Sequence, residues 1–258
     1  MPAQRRLILI TGASGAIGGA LARAYAQPGV ELILNGRNQQ LLAAVAEGCQ
    51  ALGAEVTLAP HDLSHAAALL PWLDSLQGAR LPDLVILAAG INISTGENGS
   101  GEDIDASARL MALNLQVPMR IAQALAPRMQ ARGSGQLVFI SSLAAWHGLP
   151  VTPSYCASKA GIKAYAEALR GGLAPHGVGV TLVMPGYVES AMAHDMPGPK
   201  PWLWSAERAA RIIRRGIAGN RARISFPLPL AFGCWCLAVL PAGLAQHLVR
   251  WFGYGART

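Results

Sequence analysis

The chain has 258 residues, a length that suits one large α/β domain with a substantial buried core. It is 52% hydrophobic and only 14% charged, which excludes a disordered chain and points to a large core or to surface that does not face water. Twenty-one Lys and Arg against 14 Asp and Glu give a net charge of +7, a field that recruits anionic ligands (phosphorylated cofactors, nucleic acid, acidic lipid) without choosing among them.

At the N-terminus, Arg5-Arg6 and the apolar stretch that follows imitate a secretory signal. The run 7–10 is only strand length, however, and Thr11, Ser14 and four glycines interrupt what comes next. It reads as a first strand of a cytoplasmic chain, or of one held peripherally at the inner face of a membrane. This strand runs directly into Thr11-Gly12-Ala13-Ser14-Gly15-Ala16-Ile17-Gly18 and a helix over 17–26. Strand, glycine-rich turn and helix N-terminus together form an anion site. Glycine lets the backbone approach a pyrophosphate, and unpaired N–H groups with the helix dipole favour its charge. Such a turn often serves only the sterics of a strand-to-helix connection, but its place after the first strand of an alternating fold favours the dinucleotide reading.

A second strand, 31–35, leads into Gly36-Arg37 with no carboxylate to grip a ribose 2′-hydroxyl. Arg37 is placed to pair with a 2′-phosphate, so NADP(H) is expected over NAD(H); the alternative is a solvated loop cation. Beyond it, helices over 39–52, 66–76, 106–132, 155–174 and 205–218 alternate with strands over 56–59, 84–88, 137–141, 178–184 and 223–226. Most of these strands are continuous apolar runs, as strands covered on both faces require. The alternation predicts a single Rossmann-type, doubly wound parallel sheet with helices on both faces. Residues 1–226 read as one dinucleotide-binding catalytic domain and 227–258 as an apolar C-terminal extension. The cysteines at 49, 156, 234 and 236 have neither disulfide nor zinc spacing, so free thiols and no metal are expected.

The catalytic chemistry lies between the fourth and sixth strands. Asn114 is a poor helix former in an otherwise apolar helix, which suits a functional or water-binding role. Ser142 follows the strand 137–141, where its hydroxyl can hydrogen-bond a substrate oxygen. Tyr155 and Lys159, four apart at the start of a helix, share one face about a turn apart. A phenol titrates near ~10, and an ammonium one turn away favours the phenolate and eases proton exchange with the same oxygen. Tyr-x-x-x-Lys alone is common on helix surfaces; with Ser142 and Asn114 it reads as proton exchange with a substrate oxygen.

These residues, in this order, closely resemble the short-chain dehydrogenase/reductase family over residues 7 to about 226. The segments that carry the likeness are the loop 11–18, Asp62-Leu63, Ala88-Ala89-Gly90, Asn114, Ser141-Ser142, Tyr155-Cys156-Ala157-Ser158-Lys159 and Pro185-Gly186. The resemblance implies a carbonyl reductase or alcohol dehydrogenase with Tyr155 as acid/base and Ser142 polarising the carbonyl. Lys159 would lower the tyrosine pKa and bind the nicotinamide ribose, and Asn114 would hold a proton-relay water. The cofactor would lie along Gly12, Ser14, Gly15, Ala16, Ile17 and Gly18, with Asp62 and Leu63 at the adenine. Ala89 and Gly90 would line it, and Pro185, Gly186, Val188 and Ser190 would sit at its nicotinamide end. A homodimer or homotetramer is expected. Three departures stand out: Ala16 replaces a glycine, Ala88 an asparagine and Ser190 a threonine. The first makes the spacing fit the longer branch acting on nucleotide sugars, so an epimerase or dehydratase is an alternative, although 258 residues leave no room for that branch's substrate domain. A non-catalytic NADP(H) sensor or scaffold is another, against which the four polar residues together speak.

On the substrate side, Trp146, His147, Tyr187 and the segment 192–204, with Met192, Met196, Trp202 and Trp204, read either as a lid suiting an apolar carbonyl or alcohol or as ordinary core. His147 is not read as catalytic, because the tyrosine supplies the proton. Residues 224–249 contain no Asp, Glu, Lys or Arg, yet Pro227, Pro229, Gly233, Pro241 and Gly243 argue against one continuous spanning helix. Leu244, Leu248, Trp251 and Phe252 share a helical face opposite Gln246, His247 and Arg250, as in an interfacial helix. Arg208, Arg211, Arg214, Arg215, Arg221 and Arg223 could meet anionic headgroups. Two expectations stand together: peripheral contact with an anionic membrane, or packing over the pocket or a partner subunit. No nucleic acid is expected, since no aromatic-and-basic platform accompanies the arginines.

Overall fold

The apolar run after Arg6 forms an interior strand, third of the seven in the sheet. In the computed structural model, which describes residues 5–77, 80–95, 101–196 and 198–254, β1 (Arg6–Thr11) pairs with β2 (Val30–Leu34), and β3 (Glu55–Leu58) extends that edge. On its other side β1 pairs with β4 (Leu84–Leu87), followed by β5 (Gly135–Ile140), β6 (Val178–Pro185) and β7 (Arg223–Phe226). All pairs are parallel and the order is β3-β2-β1-β4-β5-β6-β7. Residues 1–4, 78–79, 96–100, 197 and 255–258 of the expected segments lie outside the described residues. Every residue of β6 is buried and none of the edge strand β3 is, so the fully apolar runs occupy the strands covered on both faces.

Side-chain alternation divides the core in two. Along β5, Leu137 and Phe139 enter one core, and Val138 and Ile140 the other. One face is covered by α1 (Ala16–Tyr25), α2 (Gln39–Ala51) and α8 (Ala206–Ala218), the opposite face by α3 (Ala66–Gln77), α5 (Val117–Arg132) and α6 (Pro153–Leu173).

The expected helix over 106–132 is present without a break, but it is not α throughout. It is built from α4 (Ile104–Met111), a π turn at Ala112–Gln116 and α5. The wide turn holds Asn114, and single π turns inside α-helices recur at functional positions. A short helix without a counterpart in the sequence reading, α7 (Ala191–Asp195), is capped by the Ser190 hydroxyl.

The extension folds as α9 (Leu228–Val239) and α10 (Ala242–Val249), then a wide turn over Arg250–Tyr254. Breaks fall at Pro227 and Pro241, which cap the two helices, while Pro229 sits in a first turn that lacks an intrahelical N–H bond anyway. Among the described residues no helix is long and apolar enough to cross a membrane. The single apolar face expected for Leu244, Leu248, Trp251 and Phe252 is divided: Ala245 and Val249 are the buried positions, Leu248 is half-buried, and Leu244 and Trp251 are exposed. A short helix laid over a cavity buries a different stripe from one lying free in an interface.

Candidate active site

The loops following β1, β4, β5 and β6 leave the carboxyl ends of the strands, and β1 and β4 flank the point where strand order reverses. In open α/β sheets this is where ligands bind. Gly12 has φ +69°, and a Cβ there would stand 2.7 Å from Ala89 Cα. A Cβ on Gly18 would collide with the carbonyl oxygen of Gly12. Both glycines are therefore demanded by close packing between loop, strand and helix. Gly15 is the N-cap of α1 and offers no side chain, which leaves the first amides of the helix free to meet an anion. The methyl group of Ala16 packs with Ile17 against the core, so this departure is accommodated without closing the loop.

The neighbouring loops frame the same cradle. Ala89 N donates to Thr11 Oγ1 at 3.3 Å, tying the β4 turn to β1 although Ala88 lacks an amide side chain. Ala13 N donates to Asn35 O at 2.7 Å, and Asn35 Nδ2 donates to the carbonyls of Ala59 (2.9 Å) and His61 (3.2 Å). Asn35 thus clamps three strand ends, a structural role its position after β2 did not reveal. A Cβ on Gly36 would approach Ser14 Oγ to 2.6 Å, so Gly36 is needed for Ser14 to sit beside the β2 turn. Arg37 next to it is exposed, and its charge reaches Asp62. Burial pushes the Asp62 carboxyl up, but hydrogen bonds from Ser64 and the charges of Arg37 and His65 outweigh it and hold the pKa below its ordinary value. The Leu63 side chain lies in the core at 2% exposure, leaving only its backbone to face a ligand. A cradle that a Cβ would fill, an uncapped helix start and an exposed arginine fit a phosphorylated dinucleotide.

The four polar residues singled out in the sequence lie together beyond this cradle. Asn114 Oδ1 accepts from Ile91 N at 2.9 Å; its Nδ2 donates to Ile91 O at 2.8 Å and to Ser158 Oγ at 3.3 Å. With both amide protons committed, the side chain braces the β4 turn against α6. A Cβ on Gly90 would stand 3.1 Å from Asn114 Oδ1 and 3.5 Å from Lys159 Nζ, so Gly90 is the gap through which the two approach. Lys159 Nζ donates to Ile140 O at 3.0 Å and sits 5.5 Å from the centre of the Tyr155 ring. Ser141 Oγ donates to Lys159 O at 2.8 Å, locking this part of α6 to the end of β5.

Burial dominates the titration of the pair. It lowers Lys159 to about 8 and pushes Tyr155 up to about 12, with a hydrogen bond from Ser142 drawing the phenol partly back. The depression of the tyrosine by Lys159 anticipated from their spacing is not found: desolvation, which spacing alone does not report, sets the direction, and the opposing pull comes from Ser142.

Ser142, Tyr155 and Lys159 face a cavity of about 710 Å³ whose other walls are mainly apolar. Ile17, Gly90, Pro185, Gly186, Val188 and Ser190 line it as well, joining the cradle to the cavity; Gly12, Ser14, Gly15, Gly18, Arg37 and Asp62 stand outside it on the cradle side. Of the expected substrate-side residues, His147, Tyr187, Met192, Met196 and Trp202 reach the cavity. Trp146 and Trp204 do not: Trp146 is covered by Lys163 and Arg223, at 4.7 and 4.9 Å from its ring centre, and Trp204 stacks on Phe226 at 5.0 Å with Arg208 over it. The roof comes from the extension, through Leu230, Leu237, Leu240, Leu248 and Phe252. Tyr254 at its end hydrogen-bonds the Tyr187 hydroxyl at 2.9 Å and donates to Pro199 O at 2.5 Å, fastening roof to lid. The only sequence signal for this roof was an uncharged run, which does not say what it covers.

Residues 6–199 match the family described as short chain dehydrogenase. An uncharacterized oxidoreductase of Myxococcus xanthus is 33% identical over 246 residues, spanning 95% of this chain and 96% of its own length. The ketoacyl reductase HetN of Nostoc is 34% identical over 259 residues, spanning 96% and 89%. Among solved structures, a short-chain dehydrogenase from Sphingobium yanoikuyae in complex with NADPH has a TM-score of 0.80 at 26% identity, over 95% of each chain.

Proposed function

The chain belongs to the short-chain dehydrogenase family of oxidoreductases, and on that premise we propose that it interconverts an apolar carbonyl compound and its alcohol with NADP(H), using Tyr155 as acid/base. The observation that carries this reading is the meeting of Ser142, Tyr155 and Lys159 at the polar end of an otherwise apolar cavity, beside the glycine cradle. When bound, the nicotinamide supplies or accepts the hydride. The loop 12–18 would hold its pyrophosphate, Arg37 the 2′-phosphate, Asp62 the adenine, Lys159 the ribose, and Pro185, Gly186, Val188 and Ser190 the carboxamide end. Arg37 at a β2 turn without a carboxylate supports NADP(H).

The protein's own groups handle the proton. Ser142 Oγ donates a hydrogen bond to the substrate oxygen and polarises the carbonyl. Tyr155 Oη, protonated at neutral pH with its pKa near 12, gives its proton to that oxygen in the reductive direction and recovers it in the oxidative one. Lys159 beside the ring compensates the phenolate left by transfer, and the brace through Asn114 fixes Ile91 and Ser158 around it. The apolar walls exclude water and strengthen these contacts.

A panel of carbonyl compounds graded in chain length and polarity, assayed with NADPH and with NADH, tests the reading. Turnover should rise with apolar size and favour NADPH. Turnover of nucleotide sugars but of no carbonyl in the panel would overturn it.

A further inference from the structure

Every charged side chain after Glu207 is an arginine; no Asp or Glu follows it. Into this basic stretch are set α9 and α10, whose residues are all uncharged. No residue of α9 is buried. Its inner side, with Leu230 and Leu237, roofs the cavity, while Leu228 (76% exposed), Phe232 (65%) and Val239 (62%) point outward. Trp251 (75%) and Phe252 (55%) follow α10, and Trp202 (55%) stands in the lid. Exposed large apolar side chains elsewhere, such as Leu41, Leu52 and Ile104, come singly along the chain; around the cavity roof they form one surface of the kind that marks an interaction site.

Charge decides between the possible occupants. A second copy docked through this surface would set the same acid-free extension against itself, so the exposed Arg250 would find no carboxylate on the α9 or α10 of the other copy. A lipid surface supplies both missing complements, anionic headgroups for Arg250 and acyl chains for the aromatic and aliphatic tips. The geometry agrees: α9 is about 18 Å long at ~1.5 Å per residue, well short of a bilayer's ~30 Å core, and the break at Pro241 lets two short helices lie flat.

We propose that the outer face of α9, α10 and the lid around Trp202 docks on an anionic bilayer, and that the cavity beneath takes its apolar substrate from that bilayer. The second half rests on the oxidoreductase reading above; the docking does not.

The purified full chain is mixed with vesicles of phosphatidylcholine alone or with phosphatidylglycerol added, and sedimented. It should bind the anionic vesicles, and binding should weaken as salt rises from about 0.1 to about 0.5 M. Phe232→Glu and Trp251→Glu, neither of which lines the cavity, should each lower binding roughly tenfold, the fold-change for withdrawing one large apolar side chain from lipid. Ile104→Glu, at an exposed apolar site on α4, should leave binding unchanged. Circular dichroism and cofactor binding establish that each variant is folded. The docking variants should keep turnover of a short water-soluble carbonyl and lose turnover of one dissolved in vesicles. Vesicle binding with this charge and variant pattern but no carbonyl turnover would uphold docking and sink the catalytic reading. A chain that ignores both vesicle types, or one whose oligomer dissociates on the Glu substitutions, would overturn docking even with catalysis intact.

Discussion

Tyr155 and Lys159 are legible in the sequence as a pair, but their electrostatics are set by what surrounds them. Tyr155→Phe removes only the transferable proton, so turnover should fall at least ~10²-fold while cofactor affinity, read by fluorescence titration, stays near its original value. Normal turnover in that variant would mean the acid/base has been misassigned. Lys159 at about 8, against an ordinary 10.5, binds its proton less tightly in the folded chain than in the unfolded one. Between those values the unfolded state carries more protons, so stability rises with pH. Tyr155, raised from 10 to about 12, works the other way, because above pH 10 the unfolded chain loses the phenolic proton first. Urea unfolding should therefore show a rise in stability from about pH 8 to about pH 10, and Lys159→Met should flatten it. Arg37→Ala should narrow the preference for NADPH over NADH by about tenfold or more, as loss of a charge-assisted phosphate contact requires. Equal affinity of the unaltered protein for both cofactors would refute the assignment.

Among the elements, the glycine loop is the one whose sequence and geometry agree most closely, because a glycine demanded by backbone contact leaves a spacing that can be read. Gly18→Ala drives a methyl group into the Gly12 carbonyl oxygen and should abolish cofactor binding and lower Tm. Gly171→Ala, on α6 with open space around it, should instead stabilise by about 0.5–1 kcal/mol. Thermal melts with and without cofactor separate the two cases. The π turn at Ala112–Gln116 was hidden, since its residues carry no glycine or proline and Asn114 alone marks a poor helix former without saying how the turn widens. Only the hydrogen bonds of Asn114 to Ile91 and Ser158 account for a wide turn there.

For the molecule as a whole, the extension over 227–258 is the part whose role depends on everything else. We propose that residues 1–226 form the cofactor-binding unit, since the sheet is complete at Phe226. A chain ending there should still bind NADPH while KM for apolar carbonyls rises about tenfold or more, because the roof contributed by Leu237, Leu240 and Leu248 is gone. Unchanged KM would show that the roof contributes nothing to substrate binding. The order of strands and helices, the parallel sheet and the glycine and Tyr-x-x-x-Lys motifs were determined by the sequence itself. They rest on short-range physics: apolar runs, helical period, and the sterics of a turn that admits only glycine. Tertiary structure alone decided that Trp146 and Trp204 turn away from the cavity, that the extension divides its apolar residues between roof and surface, and that burial raises the Tyr155 pKa instead of lowering it. Those outcomes depend on which distant segment removes water from a given side chain, and a one-dimensional pattern carries no record of that partner.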